Sequence, residues 1–581
     1  MRTLAASFRQ AELMSARPFP EIRRRTLDTV PDWPGVPPLL ARVLAARGVT
    51  REEQLQLSLG RLPHPDGFNG LGAAVDLLQQ AREEHWRICV VGDYDADGAT
   101  ATALMVRGLA GLGFRRPDYL VPNRFEYGYG LSPAIVELAR ETLAPDLIIT
   151  VDNGIASVDG VAAARAAGMR VLITDHHLPG DQLPDADALV NPRLCEDGFP
   201  ARNLAGVGVA FYLLLAVQRR LGVKSPVLDL LDLVALGTVA DVVILDDANR
   251  ILVEQGLRRI RAGKGSPGLR ALLRVAGRDP AKVVAADLGF AAGPRLNAAG
   301  RLTDMSHGIE CLLADSEEQA RRFAEELDTI NRERRGIEQG MRDAAMLEVA
   351  RLRERELPAA LCLHGPDWHE GVVGILASRV KESVHRPVIA FAPAREKGML
   401  KGSGRSIPGL HLRDVLDAVA TAHPEMLHKF GGHAMAAGMT IARDDLERFS
   451  NAFDQAVRDM LKPEDLEAAI TTDGPLAPEE LNLDTAYLLK RAGPWGQHFP
   501  EPVFDGEFRV VSQRIVGENH LKLVLQPVEG GGIIDGIAFN TGPEVPDFTR
   551  SGARVVYKPD ANTFRGRTNL QLLVDYLEPL G

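Results

Sequence analysis

Three short apolar runs in this chain each end in a cluster of acidic or histidine side chains, and that coincidence constrains the fold more than any other feature. The runs Ile88 to Gly92, Leu147 to Val151 and Val171 to Thr174 lead into Asp93-Tyr94-Asp95-Ala96-Asp97-Gly98, Asp152-Asn153-Gly154 and Asp175-His176-His177. Together with Asp118 to Val121 they alternate with alanine-rich helical stretches between about residues 75 and 245. Apolar strands spaced by helices predict a mostly parallel sheet covered on both faces. Open sheets of this kind bind ligands beyond the carboxyl ends of their strands, where all three clusters would meet.

Five or six acidic side chains gathered at one edge repel one another unless cations lie among them. The clusters therefore predict metal ions, two in number. The candidate ligands are Asp93, Asp95, Asp97, Asp152 and His176, joined by Asp241, a lone acid in the apolar segment Leu233 to Val243 where an unpaired carboxylate would be costly. Aspartate oxygens with an imidazole suit Mn²⁺ or Mg²⁺ better than zinc. Two such ions can bridge a phosphate and acidify water, so phosphoester hydrolysis is the expected reaction. A calcium EF-hand is the competing reading of the first cluster; it fails because the twelfth position from Asp93 is Leu104 where a bidentate Glu is needed, and because a strand precedes the loop. Solvated turns are the bland account of each motif taken singly.

Farther along, Ser316 to Glu356 is charged and free of proline, with Phe323, Leu327, Ile330, Ile337 and Met341 at helical spacing, which predicts one long helix with an apolar stripe. Packing of that stripe against a neighbouring domain is the expected use, ahead of a coiled-coil dimer. Beyond Pro358 a second, smaller α/β pattern runs to about Arg458, with strands at Ala359 to Leu363 and Val388 to Phe391. Short alternating runs at His520 to Leu525, Ile533 to Phe539, Ala553 to Tyr557 and Gln571 to Tyr576 then predict a small β-barrel. The boundaries expected are an N-terminal region over 1–70, the metal-binding domain over 71–310, the connecting helix over 311–357, the smaller α/β domain over 358–462 and the barrel domain over 463–581.

The segments Gly293-Pro294-Arg295-Leu296-Asn297 with Gly300-Arg301, and Lys401 to Ser406 with Ser403 and Arg405, combine small residues with arginines, a recipe for phosphate binding that Gly-rich surface loops also satisfy. A net charge of −11 opposes long-range attraction of a polyanion, so any nucleic acid must be held by such local groups or by metal. Residues 501–581 themselves contain more acids than bases, which weakens a single-strand-binding reading of the barrel. The N-terminus lacks a signal-type apolar core and the longest apolar stretch, Val207 to Val217, is too short to cross a bilayer, so a cytoplasmic protein without membrane contact is expected. Cys89, Cys195, Cys311 and Cys362 show no paired spacing, which disfavours disulfides and zinc ribbons.

Taken in this order, the motifs resemble the DHH superfamily of phosphoesterases, named for the triad found here as Asp175-His176-His177. The resemblance implies a DHH catalytic domain with Asp95, Asp97, Asp152, His176 and Asp241 as metal ligands, Asp93 assisting, and His177 directed at the substrate phosphate. Many members carry a metal-binding His where this chain has Val91. Phe430-Gly431-Gly432-His433 is similar to the signature of the DHHA1 domain, which implies substrate contacts at Gly432 and His433. Arg124, after Pro122-Asn123, with Ser403 and Arg405, would hold a terminal 5′ phosphate.

The long connecting helix and the OB-like barrel are similar to the layout of the superfamily's bacterial exonucleases specific for single-stranded DNA. That branch implies 5′ to 3′ hydrolysis to mononucleotides in DNA repair and recombination, by a monomer working with a helicase and a single-strand-binding protein. The alternatives are a phosphodiesterase of short oligonucleotides or cyclic dinucleotides and a non-catalytic single-strand-binding scaffold; the first has no need of the barrel and the second would have lost acidic ligands.

Overall fold

The computed structural model describes residues 20–122, 127, 130–195, 199–224, 226–354, 357–542 and 545–580. The chain divides into two compact units, one of residues 29–332 with 489–501, the other of the N-terminal segment to Asp28, 333–488 and 502–581.

The first unit is built on five parallel strands in the order Asp118–Leu120, Ile88–Gly92, Leu147–Val151, Arg170–Thr174, Ala188–Val190. The central strands Ile88–Gly92 and Leu147–Val151 are buried on both faces, so they read as continuous apolar runs rather than alternating ones. Successive side chains nevertheless point to opposite faces. Val90, Ile149 and Leu172 join the large core under helices Leu71–Glu83, Ala96–Gly111 and Gly206–Leu221, while Cys89, Val91, Ile148 and Ile173 pack with helices Pro133–Thr142 and Val158–Ala166. Val91 is thus wholly buried among apolar groups. Chain order reverses between Ile88–Gly92 and Leu147–Val151, and the first two acidic clusters follow these two strands. The fifth strand, Ala188–Val190, is too short for periodicity to announce it.

Helix Glu317–Arg353 has 37 residues. Its buried face is Ala320, Ala324, Leu327, Asn331, Arg334, Met341, Ala345 and Val349. The expected stripe shares only Leu327 and Met341 with that list; Phe323, Ile330 and Ile337 sit half-buried at its border. Alanines and two polar residues line the seam, and hydrophobicity alone does not mark them.

In the second unit a mixed sheet runs Lys429–Gly432, Ala436–Ala442, Met399–Arg405, Val388–Pro393, Leu361–His364, with only the last pair parallel. Residues 504–579 form a closed five-stranded barrel in the order Phe504–Val516, His520–Pro527, Ile534–Ala538, Arg567–Pro579, Ala553–Phe564. The N-terminal strand Glu21–Arg24 pairs in parallel with Ala469–Thr472. Arg24 then reaches Asp505, whose buried carboxylate also accepts from Thr472 Oγ1 at 2.6 Å. Neither the long reach of the N-terminal strand nor the placement of 489–501 in the other unit follows from sequence order.

Candidate metal centre and phosphate site

Each candidate ligand is aimed by its backbone. Asp95 caps helix Ala96–Gly111, with Oδ1 accepting from Asp97 N at 2.9 Å and Gly98 N at 3.0 Å. Asp97, in the first turn of that helix and 1% exposed, receives Gly206 N at 2.6 Å and Val207 N at 3.0 Å from the start of helix Gly206–Leu221. Asp152 ends its strand in a left-handed conformation, φ 61°, and packs so close to Gly206 that a Cβ there would lie 2.5 Å from its own. Asp241 terminates helix Leu231–Ala240, where the helix dipole opposes a negative charge.

These elements bring the expected ligands together. Three groups of potential ligand atoms, each mutually within 4.8 Å, are found among the described residues: Asp97 with His176 and Asp241, Asp93 with Asp95 and Asp152, and Asp152 with His176 and His177. His176 Nε2 stands 3.0 Å from Asp152 Oδ1 and 3.5 Å from Asp241 Oδ2, is buried, and has no partner of hydrogen-bonding geometry. Burial first, and then the neighbouring carboxylates, hold Asp93, Asp152 and Asp241 well above the usual carboxylate range and push Asp97 up to about 7. Burial, with His177 alongside, lowers His176 to about 3, so its imidazole is neutral and able to ligate. Buried carboxylates that repel one another, beside an orphaned imidazole nitrogen, fit divalent cations. The oxygen-rich donor set suits Mn²⁺ or Mg²⁺, and the four thiols are free, with Cys89, Cys311 and Cys362 pushed up to about 12 by burial.

Three supporting roles are not legible in the sequence. Asp175 is not in the ligand groups; its Oδ1 accepts from His176 N and His177 N and lies 2.8 Å from His177 Nδ1, while Oδ2 accepts from Ile155 N. Burial opposes it, but that hydrogen bond together with the charges of Asp175, Asp93 and Asp95 raises the pKa of His177, while Asp175 is lowered despite being buried. Asn153 ties two strand ends together, its Nδ2 donating to Val91 O and Val151 O. The third, Asn297, was expected at phosphate but braces the first acidic loop instead, its Oδ1 accepting from Ala96 N at 2.8 Å. Arg295 departs from expectation in the same way. It is 7% exposed, ion-paired with Asp328 at 2.7 Å and bonded to Ala291 O, because the glycine-rich segment is a helix, Gly293–Leu302, and not a loop. Arg301 lies on the same helix, half-buried. Arg124 lies outside the described residues.

In the second unit Ser403 and Arg405 share strand Met399–Arg405, with Arg405 Nη1 donating to Ser403 Oγ at 3.1 Å. Both side chains crowd the first turn of helix Val373–Val384, where a Cβ on Gly374 would stand 2.9 Å from each. Serine, guanidinium and a helix N-terminus are the groups that anions favour. Burial lowers the Arg405 pKa. Gly432, at φ 153°, passes so close to Ala436 and Ala437 that no side chain fits, and exposed His433 follows, its amide bonded to Ala436 O.

Comparison with known proteins bears on the whole arrangement. Residues 87–238 match the DHH family N-terminal domain, 356–459 the DHHA1 domain and 472–576 the RecJ OB domain. The single-stranded-DNA-specific exonuclease RecJ of Escherichia coli (strain K12) is 52% identical over 96% of this chain and 99% of that protein. The chain belongs to the RecJ family. The family extends to Bacillus subtilis RecJ, 34% identical over 93% of this chain and 68% of that one. The crystal structure of RecJ from Thermus thermophilus with Mn²⁺ superposes with a TM-score of 0.79 at 30% identity, over 97% of this chain and 80% of that one. A Mg²⁺ complex of the same protein gives 0.74. As a RecJ-family protein the chain is a metal-dependent hydrolase of the DHH class, and the smaller α/β domain and barrel are its DHHA1 and OB domains.

Proposed function

We propose that the chain is an exonuclease that degrades single-stranded DNA from the 5′ end to mononucleotides, in repair and recombination. The observation that carries this reading is the set of three interlocked groups, from which Asp93, Asp95, Asp97, Asp152, His176 and Asp241 are the ligands proposed and His177 the phosphate contact, at the carboxyl edge of the parallel sheet. They would hold two Mn²⁺ or Mg²⁺ ions, which when bound supply the charge that lets water attack a phosphodiester near neutral pH. The protein's part is placement and charge. Asp175 accepts the Nδ1 proton of His177 and favours its charged form, so that the other ring nitrogen can donate to a phosphate oxygen. Amides of Gly206 and Val207 orient both oxygens of Asp97 and leave lone pairs for a ligand.

Arg124, Ser403 and Arg405 would receive the terminal 5′ phosphate, with Arg301, Gly432 and His433 along the strand. The single strand is the substrate partner; a helicase and a single-strand-binding protein that deliver it, a monomeric chain and a cytoplasmic location belong to the same reading. No described helix is long and apolar enough to cross a membrane. Incubation of the purified chain with 5′-labelled single-stranded DNA, its duplex and the matching RNA, in Mn²⁺, Mg²⁺ or chelator, tests it. Metal-dependent release of labelled mononucleotide from the single DNA strand alone is the expected result. Cleavage restricted to short oligonucleotides or cyclic dinucleotides would replace the substrate while keeping the metal chemistry.

A further inference from the structure

The loop after Asp241 has little packing of its own. Asp241 and Ile244 are half-buried, Val243 touches the core only at its border, Val242 is 61% exposed with φ 59°, and Leu245 is the first fully buried residue. Where Asp241 stands is therefore set by the two ends of the loop. One end is helix Leu231–Ala240. The other is held from several sides: Asn249 Nδ2 donates to Ile244 O at 2.8 Å, Asn203 Nδ2 to Asp246 Oδ2 at 3.0 Å, and Leu245 N to Gln497 O at 3.0 Å.

The last of these bonds comes from a segment more than two hundred residues away in sequence, which belongs to the same compact unit. Residues 489–501 form a tight hook there. Gly496 N donates to Phe499 O at 2.9 Å and Phe499 N to Gly496 O at 3.1 Å, which turns the Gln497 carbonyl outward to Leu245. The rings of Trp495 and Phe499 stack at 5.3 Å with 15° between planes. Each ring faces a cation of the catalytic unit: Arg250 lies 4.0 Å above Phe499 and Arg47 5.4 Å from Trp495, while Arg47 Nε also donates to Pro500 O at 2.6 Å. Arg250 is only 2% exposed, with Asp247 at 3.9 Å, so a desolvated guanidinium faces the ring, the setting in which a cation–π contact is strongest.

We propose that the segment Leu489–Glu501 is a positioning strap for Asp241, fixing the far end of its loop and thereby the affinity of the metal centre. The proposal rests on the reading of Asp241 as a ligand. Supporting groups around metal ligands alter affinity by about 10- to 100-fold when removed. The test uses the full chain stripped of metal and titrated with Mn²⁺ alone, free ion being read by electron paramagnetic resonance. Asp241→Asn calibrates the ligand itself and should weaken binding strongly. Phe499→Ala, which removes the ring from Arg250 and Trp495, should weaken Mn²⁺ binding about tenfold, raise the Mn²⁺ concentration needed for turnover, and recover most of its rate at saturating Mn²⁺. Phe499→Tyr, keeping the ring, should bind as wild type does.

Should Phe499→Ala fail to fold, Gly496→Ala carries the same test: its Cβ would stand 2.7 Å from Leu245 Cδ1 and push on the loop while leaving the Phe499 ring in place. A folded strap variant with wild-type Mn²⁺ affinity, beside a weakened Asp241→Asn, overturns the strap and leaves the ligand reading standing. Unchanged binding in Asp241→Asn overturns both.

Discussion

His177 Nδ1 lies 2.8 Å from Asp175 Oδ1, and the same carboxylate oxygen accepts the backbone amides of both His176 and His177. One buried acid thus sets the turn that presents a metal-ligand candidate and the charge on its neighbour. Asp175→Asn should keep an oxygen for the amides of His176 and His177, lose the acceptor for Ile155 N, and lose the bias toward charged His177. Turnover on single-stranded DNA should fall about 10- to 100-fold, as when a supporting carboxylate is lost, with Mn²⁺ affinity far less affected. Because the pKa of His177 is raised, its charged form is lost only as pH rises through that value, so the alkaline limb of the rate profile should move to lower pH in Asp175→Asn. An unmoved limb would show that His177 charge is not what the limb reports.

The raised pKa values of Asp152 and Asp241 mean that ionised carboxylates there destabilise the metal-free fold. A carboxyl whose folded pKa exceeds its unfolded value favours folding while protonated, and that contribution fades as pH rises above about 4. Asp152→Asn should therefore raise the melting temperature in chelator at neutral pH, reduce the further rise produced by Mn²⁺, and abolish hydrolysis. Thermal denaturation with and without Mn²⁺ checks all but the last.

Gly206 touches two ligand candidates at once, since its amide holds Asp97 and its Cα faces Asp152. Gly206→Ala should cost about 1–3 kcal/mol through overpacking and suppress activity disproportionately, because the added methyl displaces Asp152 itself. Chemical denaturation beside single-turnover rates separates the two effects.

Arg405 sits beside Ser403 at the start of helix Val373–Val384. Arg405→Gln should lessen the preference for a 5′-phosphorylated strand over a 5′-hydroxyl strand by about tenfold, the scale of one charge-assisted hydrogen bond. Competition between the two labelled strands measures that ratio directly.

In the second unit, Asp505 is held below the usual carboxylate range: burial opposes this, but hydrogen bonds from Arg24 and Thr472 prevail. A lowered folded pKa gives stability that is complete above about pH 4 and lost as pH falls through the folded value. Asp505→Ala should destabilise the chain by about 2–3 kcal/mol at neutral pH and flatten the acid limb of its stability profile in urea titrations.

The sequence by itself determined the fold class, the place of the sheet, the long helix and the barrel, and which acids would meet. Those signals are local: apolar runs such as Leu147 to Val151 declare buried strands, and Asp152 and Asp93 follow their strands directly, so strand order alone brings them to one edge. Tertiary structure decided what each side chain does there. Arg295 and Asn297 look like phosphate contacts in sequence, yet Asp328 and the amide of Ala96, distant in the chain, engage both. Asp175 carries the same side chain as Asp152 but orients a histidine, because its oxygens meet backbone amides. The strap at 489–501 and the N-terminal strand against Ala469–Thr472 leave no periodic trace, since they are made by backbone hydrogen bonds and, for the strap, single arginine–ring contacts between segments that only the folded chain brings together.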